Sequence, residues 1–134
     1  MNQKNFFLII ALLLNLTLHG CNEKTEIENF DSEAWKADKN GCKQKRIEMM
    51  PRLEKLIFEL KGLKEAQLQD VLGKADKTEL YERGQRFLIY DISPDPTCNA
   101  NYQGRQQDLI LRLNALGIVS EANLQDYEEF DTNQ

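Results

Sequence analysis

Histidine is nearly missing from this chain. Its one copy, His19, falls within the first 20 residues. The remainder therefore lacks the usual general base, the imidazole that activates serine or cysteine nucleophiles, and the commonest metal ligand. Serine is scarce too: after residue 20 it occurs only as Ser32, Ser93 and Ser120, none in a Gly-x-Ser-x-Gly setting. The 7 glycines include no phosphate-cradling loop, because Gly62, Gly73 and Gly84 stand apart as single stops and turns. There is no Cys-x-x-Cys. Basic residues are outnumbered, 17 Lys and Arg against 22 Asp and Glu, a net charge of −5. That balance disfavours nucleic acid, whose binders carry a basic footprint, and attraction to anionic lipid headgroups. Long apolar runs are also absent. The longest, Phe6 to Leu14 (FFLIIALLL), has nine residues, whereas a bilayer span needs roughly 20.

The setting of that run is informative. Asn2-Gln3-Lys4-Asn5 precedes it with one positive charge, and the small residue Gly20 stands just before Cys21. A basic start, an apolar centre and a small-residue end are the order of a secretory signal. Leu18-His19-Gly20-Cys21 resembles the lipobox of bacterial lipoproteins, with His19 an unusual occupant of its position. The resemblance implies that residues 1–20 are a cleaved lipoprotein signal peptide. It implies further that Cys21 carries thioether-linked diacylglycerol and an acylated amine. Two or three acyl chains hold stably, since burial contributes about 0.8 kcal/mol per CH₂. Asn22, not Asp, follows Cys21, so the proteobacterial mark of inner-membrane retention is missing. The expected location is the bacterial cell envelope, lipid-anchored at the outer membrane, on its periplasmic face or at the surface. Removing 20 of 134 residues leaves 114, and losing Lys4 leaves 16 basic residues against 22 acids, a net charge of −6. Such a length holds one compact core without metal or cofactor.

With Cys21 assigned to lipid, Cys42 and Cys98 remain. In an exported, oxidising setting an even pair reads as a disulfide, here closing a span of 98 − 42 = 56 residues. Two buried free thiols are the alternative. A catalytic thiol is disfavoured by the absence of an imidazole beside it.

Residues 21–29 (CNEKTEIEN) are polar and read as a flexible tether; residues 30–126 read as a single domain, and 127–134 as a frayed acidic tail containing Glu128 and Glu129. Asp31 suits a helix N-cap, with Phe30 and Trp35 placed for a hydrophobic staple and Asn40-Gly41 as the stop. A longer helix is expected from Lys43 to Lys61, with Ile47, Met50, Leu53, Ile57 and Leu60 on one face, Leu56 widening it, and a kink or break at Pro51. A third helix runs from Leu63 to Leu72 and stops at Gly73. The period then becomes strand-like. Strands are expected at Thr78–Glu82 and Arg86–Ile92 around the turn Arg83-Gly84-Gln85, then at Leu109–Leu113 and from Ile118 to about Leu124. Leu88, Tyr90 and Ile92 share one face of the second strand, and Phe87 and Ile89 the other, which suits a central strand. The fold class is α+β: two to three N-terminal helices packed on a four-stranded antiparallel meander.

No residue set assembles a recognisable catalytic centre, and the expectation is no enzyme, no cofactor and no metal. Asp91, Asp95, Asn99 and Asn101 lack the spacing of a twelve-residue calcium loop. The long segment from Ser93 to Gln107 invites a role, since loops of that length seldom lack one. Cys98 would pin its middle and leave Tyr102 and Arg105 as candidate partner-binding residues, both types being favoured at interfaces.

The stretch from Leu60 to Asp76 (LKGLKEAQLQDVLGKAD), followed by Phe87 to Tyr90 (FLIY), resembles the small-protein-A or BamE-type outer-membrane lipoproteins. In those a glycine starts a short helix ending in Leu-Gly-x-Pro, ahead of an aromatic hairpin; β-lactamase-inhibitor modules share this type of fold. Gly62, Val71, Leu72 and Gly73 match, while Leu63 stands where a methionine is usual and Ala75 where the proline would be. The likeness covers roughly Leu60 to Val119. It implies a non-catalytic accessory lipoprotein of outer-membrane assembly or maintenance, bound to the membrane through Cys21 and to another envelope protein. The alternative is an inhibitor or immunity-type lipoprotein that blocks an enzyme with the 93–107 loop.

Overall fold

The computed structural model describes residues 24–127. The signal segment, Cys21 and the tail beyond 127 lie outside the described residues. Among the described residues, four short helices precede a four-stranded sheet: α1 (Ser32–Ala37), α2 (Lys45–Glu48), α3 (Met50–Leu60), α4 (Glu65–Leu72), β1 (Lys77–Leu80), β2 (Arg86–Asp91), β3 (Gln106–Leu113) and β4 (Val119–Tyr127). The strands lie in the order β1-β2-β3-β4, each antiparallel to its neighbour, so the fold is the α+β meander expected from the change of period.

Local chemistry explains most boundaries. The Ala34 N–H donates to Asp31 Oδ1 at 2.9 Å, capping α1. The Phe30 and Trp35 rings pack with centroids 5.7 Å apart, as the staple requires. The long second helix is two helices. Met49 separates them, and Pro51 falls in the first turn of α3, where its missing N–H costs no helical bond. Leu63 and Lys64 are not helical. Residues 62–65 run beside the start of β4, with Gly62 N–H to Val119 O at 2.9 Å and Val119 N–H to Leu63 O at 3.0 Å. The α3–α4 connection thus covers part of the β4 edge, a common remedy for unpaired strand groups.

Residues 24–29, expected within a tether, are held on the domain. The Thr25 N–H donates to Asp70 Oδ2 at 3.0 Å, and Arg52 donates to Glu28 O at 2.7 Å. Ile27, the one apolar side chain in that polar run, packs against the core.

The core lies between the helices and one face of the sheet. Trp35, Leu53, Leu56, Leu60, Leu68, Val71 and Leu72 meet Leu88, Tyr90, Ile92, Leu109, Leu111, Leu113, Val119 and Ala122. The register sets this face: Leu88 opposes Leu111, and Tyr90 opposes Leu109. The alternating residues Phe87, Ile89, Ile110 and Arg112 therefore occupy the opposite face.

One polar cluster runs through the structure. The Arg46 side chain is 2% exposed and pairs with Asp76, whose side chain is fully buried. Its guanidinium also donates to Asp91 O at 2.8 Å and to Trp35 O at 3.2 Å, and stacks 4.6 Å from the Trp35 ring centroid. Asp38, fully buried, accepts the backbone N–H of Lys43 at 2.6 Å and of Arg46 at 2.9 Å. Asp76 completes the set by accepting the N–H of Asn40 at 3.1 Å and of Asp91 at 3.0 Å. These bonds join the turn after α1, the start of α2 and the end of β2. Gly41 stands at the same junction. A Cβ there would lie 2.6 Å from Ser93 O and 2.7 Å from Ile92 O, so only glycine admits this approach of two backbones.

Candidate binding cleft

β2 ends at Asp91, and the chain then leaves the sheet through Ser93 and the buried Pro94 to form the long loop. Three ties hold that loop. Cys42 and Cys98 form a disulfide, S–S 2.05 Å, Cα–Cα 5.8 Å. Asp95 N–H donates to Asn40 O at 3.0 Å. Ser93 Oγ donates to Arg105 O at 2.8 Å and accepts Gln107 N–H at 2.9 Å, closing the loop at its base. The pairing of Cys42 with Cys98 is thus the one the cysteine count implied, and it fastens the loop to the turn between α1 and α2.

The loop stands beside the sheet face turned away from the helices. Between them is a cleft of about 670 Å³, within the usual range of ligand sites. β1 and β2 contribute Lys77, Glu79, Ile89 and Asp91; β3 contributes Asp108; the loop contributes Asp95, Pro96 and the run from Tyr102 to Arg105. Both residues proposed from sequence as partner-binding reach this cleft. Tyr102 is half-buried and folds over Gly104, where a Cβ would meet its ring, instead of projecting from the loop. Arg105 is exposed and pairs with Asp126 of β4 at 2.8 Å.

Sequence reasoning weighed Asp91 and Asp95 only as calcium ligands and passed over Lys77 and Asp108. Lys77 Nζ lies 2.9 Å from Asp91 Oδ1 and 3.5 Å from Asp95 Oδ2. Burial alone would lower the Lys77 ammonium, but the hydrogen bond and charge of Asp91, with Asp95 and Asp108 beyond, outweigh it and hold it above its ordinary value. Hydrogen bonds from the Thr97 hydroxyl and N–H hold the Asp95 carboxyl below its usual range. Asp108 behaves oppositely. It sits directly across from Asp91 in the β2–β3 register. Burial, then the Asp91 carboxylate, push it up to about 6. Two like charges placed directly opposite on adjacent strands repel, so retention of a proton by one of them is the expected response. Asp91 is only 3% exposed, and its Oδ2 has no hydrogen-bond partner among the described residues.

This arrangement fixes a pH dependence. The folded chain keeps the Asp108 proton up to about pH 6, against an ordinary carboxyl value of 3.8. Between those values the folded state binds more protons than the unfolded state, so stability falls as pH rises through the window. Asp108→Asn is expected to remove that fall and to raise stability at pH 7.5 by roughly 1 kcal/mol, after allowing for solvent screening in an open cleft. Urea unfolding at pH 4, 5, 6 and 7.5 measures it. Parallel pH profiles for the two proteins would show that Asp108 carries no such load.

Among the described residues, no group of three or more His, Cys, Asp or Glu is placed to hold a metal ion. No helix among them is long and apolar enough to cross a membrane. No protein-family model, curated protein or solved structure matches the chain.

Proposed function

We propose that this chain is a lipid-anchored, non-catalytic lipoprotein of the bacterial cell envelope that binds another envelope protein in the cleft between its loop and its sheet. The observation that carries the reading is the disulfide-fastened loop, which frames a concave surface on the face that the helices leave free. A loop held in shape before contact loses little entropy on binding, which is the advantage of preorganisation. The lipobox-like Leu18 to Cys21 supplies the anchor, and the resemblance to small-protein-A or BamE-type lipoproteins supplies the envelope context. An accessory role in outer-membrane assembly or maintenance follows from that resemblance. The rival reading, an inhibitor or immunity-type lipoprotein that blocks an enzyme with the 93–107 loop, is less favoured because Tyr102 turns inward over Gly104.

Site-specific photo-crosslinking in intact cells tests this. A photoreactive residue at Gln103, which lines the cleft, is expected to capture one defined envelope protein. The same probe at Phe58, 69% exposed on α3, is not. Capture of the same species from both positions, or from neither, would argue against the cleft as the contact.

A further inference from the structure

The occupant of the cleft can be narrowed by its unmet charge. Four carboxylates line it (Glu79, Asp91, Asp95 and Asp108) against two cations, Lys77 and Arg105. Arg105 is engaged with Asp126, and Lys77 with Asp91 Oδ1 and Asp95. Glu79 is exposed to solvent; the buried oxygen left without a donor among the described residues is Asp91 Oδ2, and Asp108 stands opposite Asp91 in the strand register. A carboxylate oxygen buried without a donor costs about 1–3 kcal/mol or more. A buried oxygen in this state calls for a donor, and a ligand entering the cleft can bring one.

We propose that the cleft receives the guanidinium or ammonium of a basic side chain from the partner polypeptide, with Asp91 and Asp108 as its acceptors. The walls suit this group. Ile89, Pro96 and Tyr102 offer apolar surface for a methylene stem, and the Tyr102 ring offers a face for the cation. The volume of about 670 Å³ accommodates one long side chain with its flanking backbone. Before binding, Asp108 stands opposite Asp91 in the strand register and keeps its proton up to about pH 6. An incoming cation replaces it, so binding releases one proton and strengthens as pH rises. The charged groups that set this exchange are Asp91, Asp76, Asp95 and Lys77. The inference rests on the protein-binding reading above, and a test on the purified chain separates failure of the site from absence of an envelope partner.

The test is an NMR titration of the full chain, extracted in mild detergent, with acetyl-Gly-Arg-Gly-amide. The expected result is saturable shifts at Ile89, Asp91, Gly104 and Asp108. The isosteric citrulline tripeptide should produce none. Affinity at pH 5 should be about tenfold below that at pH 7.5, the slope of one displaced proton. Asp108→Asn should lose about tenfold in affinity together with the pH dependence, while Glu54→Gln, exposed on α3 and outside the cleft, stays within about twofold of the parent. Equal shifts with citrulline would overturn the proposal. So would binding indifferent to pH in the parent chain, a reading that holds even if the variant does not fold. Shifts produced by phosphoethanolamine but not by the arginine peptide would assign the site to a lipid headgroup and reject a polypeptide ligand.

Discussion

Replacing Arg46 with alanine is expected to lower folding stability by about 3–5 kcal/mol, the usual consequence of removing one partner from a buried ion pair. The magnitude comes from what is left behind. Asp76 would remain fully buried with its countercharge gone, and the carbonyls of Asp91 and Trp35 would each lose a donor. The Trp35 ring would lose the guanidinium stacked on its face. Arg46→Met, which fills similar volume, should be as damaging, because most of the cost lies in the charge left uncompensated on Asp76. The double change Arg46→Met with Asp76→Leu should recover much of the loss, since apolar replacement of both members is often neutral. Urea unfolding of the three variants with the disulfide intact measures this. If Arg46→Met alone were within 1 kcal/mol of the parent, at about the level of a surface ion pair, the cluster would not have the role assigned to it.

Removing the disulfide is expected to have the second largest effect. The bond closes a span of 56 residues, for which chain entropy gives an upper figure of roughly 4 kcal/mol. The bridged Cys42–Cys98 pair also holds the loop against the turn that carries Asn40 and Gly41. Cys42→Ala with Cys98→Ala should therefore both lower the denaturation midpoint and raise hydrogen exchange between Asp95 and Arg105. The strands should stay protected, because their ladders and the Leu-rich core do not involve the bridge. A uniform rise in exchange across β2 and β3 would show instead that the bridge stabilises the whole domain. Protection unchanged in the loop would show that the hydrogen bonds of Ser93 and Asp95 suffice.

Some of this architecture was readable from residues alone, and the reasons differ by element. The start of α1 was legible because its signals are local: Asp31 caps it and Phe30 staples it to Trp35, whereas the helix ends at Ala37, ahead of the stop expected at Asn40-Gly41. The meander was legible because alternation along Leu109, Leu111 and Leu113 has only one sheet-compatible meaning. The division of the second helix was half legible. Pro51 announced an interruption, but the break itself falls at Met49, which carries no such signal, and this puts Pro51 in the first turn of α3. Leu63 and Lys64 read as helix and are instead paired with the start of β4, a contact made across more than fifty residues.

The site was less legible than the fold. Cys42 and Cys98 were paired by counting, and Tyr102 and Arg105 were singled out by residue type. Asp108 and Lys77 were overlooked, because a charged residue on a strand is ordinarily solvated. Their significance comes from register: the pairing of Asp91 with Asp108 is a property of two strands joined by a long loop. The same holds for Arg46, which lies 30 residues from Asp76 and 45 from Asp91 in the chain. No local pattern marks a buried arginine whose acceptors come from three separate segments.

The reading of the chain as an exported, anchored module with a bridged loop is open to one direct measurement, intact-mass spectrometry of the protein extracted from the membranes of its native cells. The expected species begins at Cys21, carries diacylglycerol on that sulfur, and has Cys42 and Cys98 joined. A chain still starting at Met1, an unmodified Cys21 at the amino terminus, or free thiols at both Cys42 and Cys98 would contradict it.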